Sequence, residues 1–145
     1  MDSYDDFLLW LETGNTYLFH WNINTEHPHY QVILNNEIWN DPICIFLSVS
    51  SSKINKREEF IKSRWLDIKT LVMVESEEVN FFSKQSCFNC NDIQQYSPHD
   101  LYWIYLQWNL KYQWKIPHKI LIKIQEWVKI SEMISNRDKK IIWII

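Results

Sequence analysis

Three stretches decide the fold: Asn15-Thr-Tyr-Leu-Phe-His-Trp-Asn-Ile23, His29-Tyr-Gln-Val-Ile-Leu34 and Ile43-Cys-Ile-Phe-Leu-Ser-Val49. Each is rich in aromatic and β-branched residues, the types that suit a pleated, half-buried surface. Short polar connections separate them: Asn24-Thr-Glu-His-Pro28, and a second with Asn35-Asn36 and Asn40-Asp41-Pro42. Strands so close in sequence pair as an antiparallel meander. Gly14 stands just before the first and is expected to make a turn there. Lys69–Glu75 and Cys87–Gln95 read as a fourth and a fifth strand.

Beyond residue 96 the pattern changes to helices. Ser97-Pro98-His99-Asp100 combines a capping serine, a proline at the first helical position and an acid three residues after the cap. That helix is expected to run to about Leu110. Pro117 opens the next, with Ile120, Leu121, Ile124, Trp127, Val128, Met133 and Ile134 spaced near the 3.6-residue period. Ser135-Asn-Arg-Asp138 repeats the cap and starts a short last helix. Strands first and helices later predict an α+β fold: a small antiparallel β-barrel over about 14–95, with helices of about 97–145 packed on it. No repeat or linker divides the chain, so residues 1–145 read as a single domain.

Composition narrows the functions. The 145 residues include one glycine and nine tryptophans, and 16% are aromatic. Neither a Rossmann fingerprint nor a P-loop can be built from Gly14 alone, so any phosphate must be held by side chains. The formal charge of −3 supplies no global attraction to nucleic acid or an anionic membrane. Three cysteines do not make a secreted disulfide framework, and the acidic start Met1–Asp6 is unlike a signal peptide. With no apolar run long enough to span a bilayer, a cytoplasmic, membrane-free protein is expected.

Charge is uneven. Residues 53–69 carry Lys53, Lys56, Arg57, Lys62, Arg64 and Lys69 against Glu58, Glu59 and Asp67. This is a long loop, or a loop with a short helix, and either a solvated surface or a place for an anion. His27-Pro28-His29, with His20 upstream, offers imidazoles for acid–base chemistry near neutral pH, or simply surface histidines. A third metal ligand is not evident beside them. Ser48-Val-Ser-Ser-Ser52 ends the third strand and adjoins Lys53; its hydroxyls either contact phosphate oxygens or terminate the strand by local bonds. Cys87 and Cys90 lack the second pair of a zinc ribbon and should point to opposite faces of their strand, as core residues. Trp21, Trp39 and Trp65 lie in or near loops where they could stack bases, whereas Trp103, Trp108, Trp114, Trp127 and Trp143 read as packing anchors.

The run Gly14-Asn-Thr-Tyr17, then His27-Pro-His-Tyr-Gln-Val-Ile-Leu34, then Ile43-Cys-Ile-Phe-Leu-Ser-Val-Ser-Ser-Ser-Lys53 resembles the start of the PemK/MazF-like toxin family. Lys69-Thr-Leu-Val-Met-Val74, Phe81-Phe82-Ser-Lys-Gln-Ser86, Cys90-Asn-Asp-Ile93 and Ser97-x-x-Asp-Leu101 extend the resemblance over about residues 14–143. It implies an SH3-like barrel, often a homodimer, that cleaves single-stranded RNA without metal or cofactor and is neutralised by an antitoxin protein. The RNA 2′-hydroxyl would attack its neighbouring phosphate. The family's arginine before the second strand is absent, and His27-Pro28-His29 stands there. The resemblance therefore implies either that His27 or His29 takes over proton transfer or that catalysis is lost. In the active case Ser50 or Ser51 supplies the phosphate-contacting hydroxyl. Lys53, Lys56, Arg57 and Arg64, with Trp21 and Trp39, would hold the RNA. The alternative is a non-catalytic SH3-like barrel that binds a protein or nucleic-acid partner.

Overall fold

The computed structural model describes residues 3–20, 27–35 and 44–142. The chain is α+β. Helix α1 (Tyr4–Trp10) is followed by strands β1 (Asn15–Phe19), β2 (His29–Ile33) and β3 (Ile45–Ser51). Helix α2 (Ile54–Ser63) and strands β4 (Leu71–Val74) and β5 (Ser86–Tyr96) come next. Helix α3 (Pro98–Leu106), strand β6 (Lys111–Lys115), and helices α4 (His118–Ile130) and α5 (Asn136–Ile142) complete it. The six strands form one antiparallel sheet in the order β4-β5-β3-β2-β1-β6.

The expected meander is present: β1 pairs with β2 (Tyr17 opposite Gln31) and β2 with β3 (Val32 opposite Ser48). The fifth strand then enters between β3 and β4, pairing with both. Strands β4 and β6 are the two edges, so the described strands form an open sheet rather than the closed barrel expected. Gly14 takes φ +87°, donates its N–H to the Ile33 carbonyl and accepts from the Ile116 N–H, so the turn before β1 ties the first strand to β2 and to the end of β6.

Two elements were not anticipated. Helix α1 is capped by the Ser3 hydroxyl, which accepts from the Asp6 N–H, and Asp5 and Asp6 complement the dipole of its first turn. Strand β6 arises because α3 stops at Leu106 rather than Leu110. Trp108 takes the left-handed conformation (φ +63°) and turns the chain back along β1, with Tyr112 opposite Tyr17. The expected cap at Ser97 is formed, with Asp100 closing the box.

Both faces of the sheet are covered. On one, Val32, Phe46, Val72 and Phe88 pack with Ile120, Ile124 and Val128 of α4 and Ile142 of α5. On the other, Tyr17, Phe19, Ile33 and Leu47 pack with Phe7 of α1 and Leu101 of α3. Farther along that face a smaller cluster of Ile61, Leu71 and Cys87 seats α2. A buried polar chain pins the end of α4: Ser131 donates to Asn91 Oδ1 at 2.6 Å, and Asn91 Nδ2 donates to Thr70 Oγ1 at 2.6 Å. No helix among the described residues is long and apolar enough to cross a membrane.

Candidate active site

Strand β2 begins at His29 and β3 ends at Ser51, and their antiparallel register puts these two ends side by side. The chain then turns through Ser52 and Lys53 into α2. The Ser51 hydroxyl accepts from the Lys53 N–H at 3.1 Å, which stabilises that turn. A cleft of about 560 Å3 opens there. It is lined by His27, His29, Ser50, Ser51, Ser52, Lys53 and Arg57, and across from them by Phe82, Ser83 and Lys84 from the segment before β5. Three cationic side chains and two imidazoles thus share a cleft whose lining, among the described residues, includes no carboxylate. The local charge is opposite to that of the whole chain.

His29 is held in a defined state. Its Nδ1 lies 2.9 Å from the Ser50 carbonyl oxygen. A carbonyl only accepts, so Nδ1 carries the hydrogen and Nε2 the lone pair. Burial lowers the His29 pKa below the ordinary histidine value; the bond to Ser50 opposes this, and the positive charges of Arg57, His20 and Lys53 add to the lowering. The ring is therefore neutral at pH 7, with a free basic nitrogen. That is the state a general base requires.

Arg57 sits between this cleft and a small polar pocket of about 30 Å3 lined also by Ser50, Ser51, Asn89, Asp92 and Gln94. Burial pushes the Asp92 carboxyl up, and the Arg57 charge partly reverses that shift. The pocket has room for about one water between such groups. Tyr30 and Phe82 form an aromatic wall of the cleft: the Tyr30 hydroxyl donates to the Phe81 carbonyl, and the Tyr30 ring contacts both Phe81 and Phe82.

The structure brings together His27, His29, Ser50, Ser51, Lys53 and Arg57. Lys56 on α2 and Arg64 at its C-cap are exposed and do not line the cleft. Trp21 and Trp39 lie outside the described residues. Ser50 meets His29 through its carbonyl, and both Ser50 and Ser51 are buried. The hydroxyl of the run that is exposed and lines the cleft is that of Ser52. Sequence reasoning also missed Lys84 and the Tyr30–Phe82 wall. A single lysine in a turn carries no signal until folding brings it opposite β2.

Among the described residues no group of three or more His, Cys, Asp or Glu side chains is arranged to hold a metal ion. The three cysteines are free and buried. Cys90 belongs to the α4 face of the sheet and Cys87 to the α2 face, as the strand period predicts. Burial raises all three thiols, Cys87 to about 11. No protein-family model matches this chain, and no curated protein matches it.

Proposed function

We propose that the protein is an endoribonuclease that cleaves single-stranded RNA through its own 2′-hydroxyl. The observation that carries this reading is the meeting of His27, His29, Arg57, Lys53 and Lys84 in one cleft, with no carboxylate among its described lining residues. His29 Nε2 takes the proton of the 2′-hydroxyl. The 2′-oxygen attacks the adjacent phosphorus and the bond to the 5′-oxygen breaks. His27, as the general acid, gives a proton to that leaving oxygen. Arg57, Lys53 and Lys84 stabilise the charge that builds on the phosphoryl oxygens, and the Ser52 hydroxyl donates to one of them. The products are a 2′,3′-cyclic phosphate and a 5′-hydroxyl. The residues supply acid, base and positive charge themselves, so the scheme calls on no cofactor. Arg57, delivered by α2, fills the role left open by the arginine missing before β2.

The PemK/MazF-like resemblance belongs to the same proposal. It accounts for the strand meander and the substrate class, and it carries with it an SH3-like curvature of the sheet, a homodimer and an antitoxin partner. The test is incubation of purified protein with single-stranded RNA in EDTA. Cyclic-phosphate ends that disappear in His29→Ala support the reading; intact RNA under all conditions overturns it. A second reading, a non-catalytic binding module, is favoured by the exposed Trp103, Trp108 and Trp114 on and before the β6 edge strand. It is the reading that survives if RNA stays intact.

A further inference from the structure

Helix α2 continues the cleft outward. Lys53, Arg57, Phe60 and Arg64 are spaced four, three and four residues apart, which puts them on one flank. The Arg64 guanidinium lies 4.6 Å from the centre of the Phe60 ring, as that spacing requires. Glu58 and Glu59 project about 130° away from this flank on either side. The flank that starts inside the cleft with Lys53 and Arg57 is therefore basic and aromatic, with the helix's acids turned elsewhere.

The stripe ends at Trp65. Its N–H donates to the Lys62 carbonyl and the Leu66 N–H to the Ile61 carbonyl, a helix end of the kind that normally takes glycine at the residue between. Here tryptophan holds that place, at φ +57° and 95% exposed. The left-handed backbone costs stability, and an indole in solvent returns none by burial. Trp65 is thus poorly explained by the fold and well placed for a ligand. Trp108 ends α3 with the same backbone geometry, but α3 bears no lysine or arginine leading to it.

We infer that the α2 flank is a track for single-stranded RNA leaving the cleft, with Arg64 on a phosphate and Trp65 as a stacking platform for a base. This rests on the ribonuclease reading of the cleft. Lys53 to Trp65 spans about 18 Å of helix, which an extended strand covers in about three nucleotides. The polyanion is the occupant because every cation on the flank points the same way and continues a cationic cleft.

The test uses 2′-O-methyl oligoribonucleotides, whose blocked 2′-oxygen prevents cleavage. Affinities of an octamer and a dimer are compared by fluorescence anisotropy. The octamer binds wild-type protein about tenfold more tightly than the dimer, and Trp65→Gly removes that gain. Arg64→Gln lowers octamer affinity and reduces its salt dependence by about one ion. Trp65→Gly leaves the thermal midpoint equal or higher, because glycine suits the backbone, so lost binding is not lost folding. Trp108→Gly relieves the same strain and keeps the length gain. The track is overturned if the octamer binds no better than the dimer, if Trp65→Gly keeps the gain, or if Trp108→Gly loses it equally. If wild-type protein still cleaves single-stranded RNA in those cases, the cleft reading stands alone; if it neither binds nor cleaves, both fall.

Discussion

The His29 ring donates from Nδ1 to the Ser50 carbonyl oxygen at 2.9 Å, across the β2–β3 junction. This bond selects the tautomer and points the ring's basic nitrogen away from the strand. It also makes Ser50 a positioning residue through its backbone, a role that no side-chain substitution at Ser50 removes. Truncating the ring therefore separates catalysis from scaffold: His29→Ala is expected to lower RNA cleavage by about a hundredfold or more. Circular dichroism and urea midpoint report whether the fold is kept, and a rate within threefold of wild type would remove His29 from the base role.

The pH dependence follows from the same group. A general base works only when unprotonated, and the His29 pKa lies below 6.5. Cleavage should fall on the acid side with a midpoint below 6.5. The stability contribution has the same sign: below 6.5 the unfolded chain takes up a proton that the folded ring resists. Stability is fully present above that value and declines as pH falls toward the folded pKa. Arg57→Gln, which removes a positive neighbour, should move the midpoint upward. A kinetic midpoint at or above 6.5 in the wild type counts against the assignment.

Asn91 links Thr70 and Ser131 inside the protein, with both bonds buried. Asn91→Ala leaves two buried hydroxyls short of a partner and is expected to cost about 2–3 kcal/mol in urea unfolding. Cleavage activity per folded molecule should hold, since the network lies outside the cleft. A loss under about 0.5 kcal/mol would mean that water replaces the amide at little cost.

Gly14 carries a positive φ, and a Cβ built there would meet the Leu121 side chain at 3.2 Å. Gly14→Ala should destabilise the protein by about 1–2 kcal/mol, chiefly from the backbone. Equilibrium unfolding measures this. An unchanged midpoint would show that the turn relaxes to negative φ without disturbing β1.

The Cys87 thiol, raised to about 11 by burial, should be about one part in a thousand thiolate at pH 8. Ellman's reagent should modify the native protein slowly and all three cysteines promptly in guanidinium chloride. Fast reaction of the folded form would show that Cys87, behind the Ser51 carbonyl, is open to solvent.

Much of this was legible in the chain because it is local. The Ser97–Asp100 cap and the apolar stripe of α4 depend on residues a few positions apart, and the β1–β2–β3 meander pairs strands that follow one another in the chain. Helix α1 and strand β6 were less visible. The first was read only for its charge, and the second begins where Trp108, not a glycine, reverses the chain. A barrel was expected from the order of strands and helices, and the described strands leave β4 and β6 as edges.

From sequence alone, one glycine excluded phosphate-cradling loops and left histidine, serine, lysine and arginine as the groups able to meet an anion. Which of them meet was decided by tertiary structure. Insertion of β5 between β3 and β4 swings the segment carrying Lys84 opposite His29, and the seating of α2 through Ile61 on Leu71 and Cys87 turns Arg57 into the same cleft while Lys56 stays exposed outside it. Those placements come from pairing and burial between residues dozens of positions apart, and local spacing does not encode them.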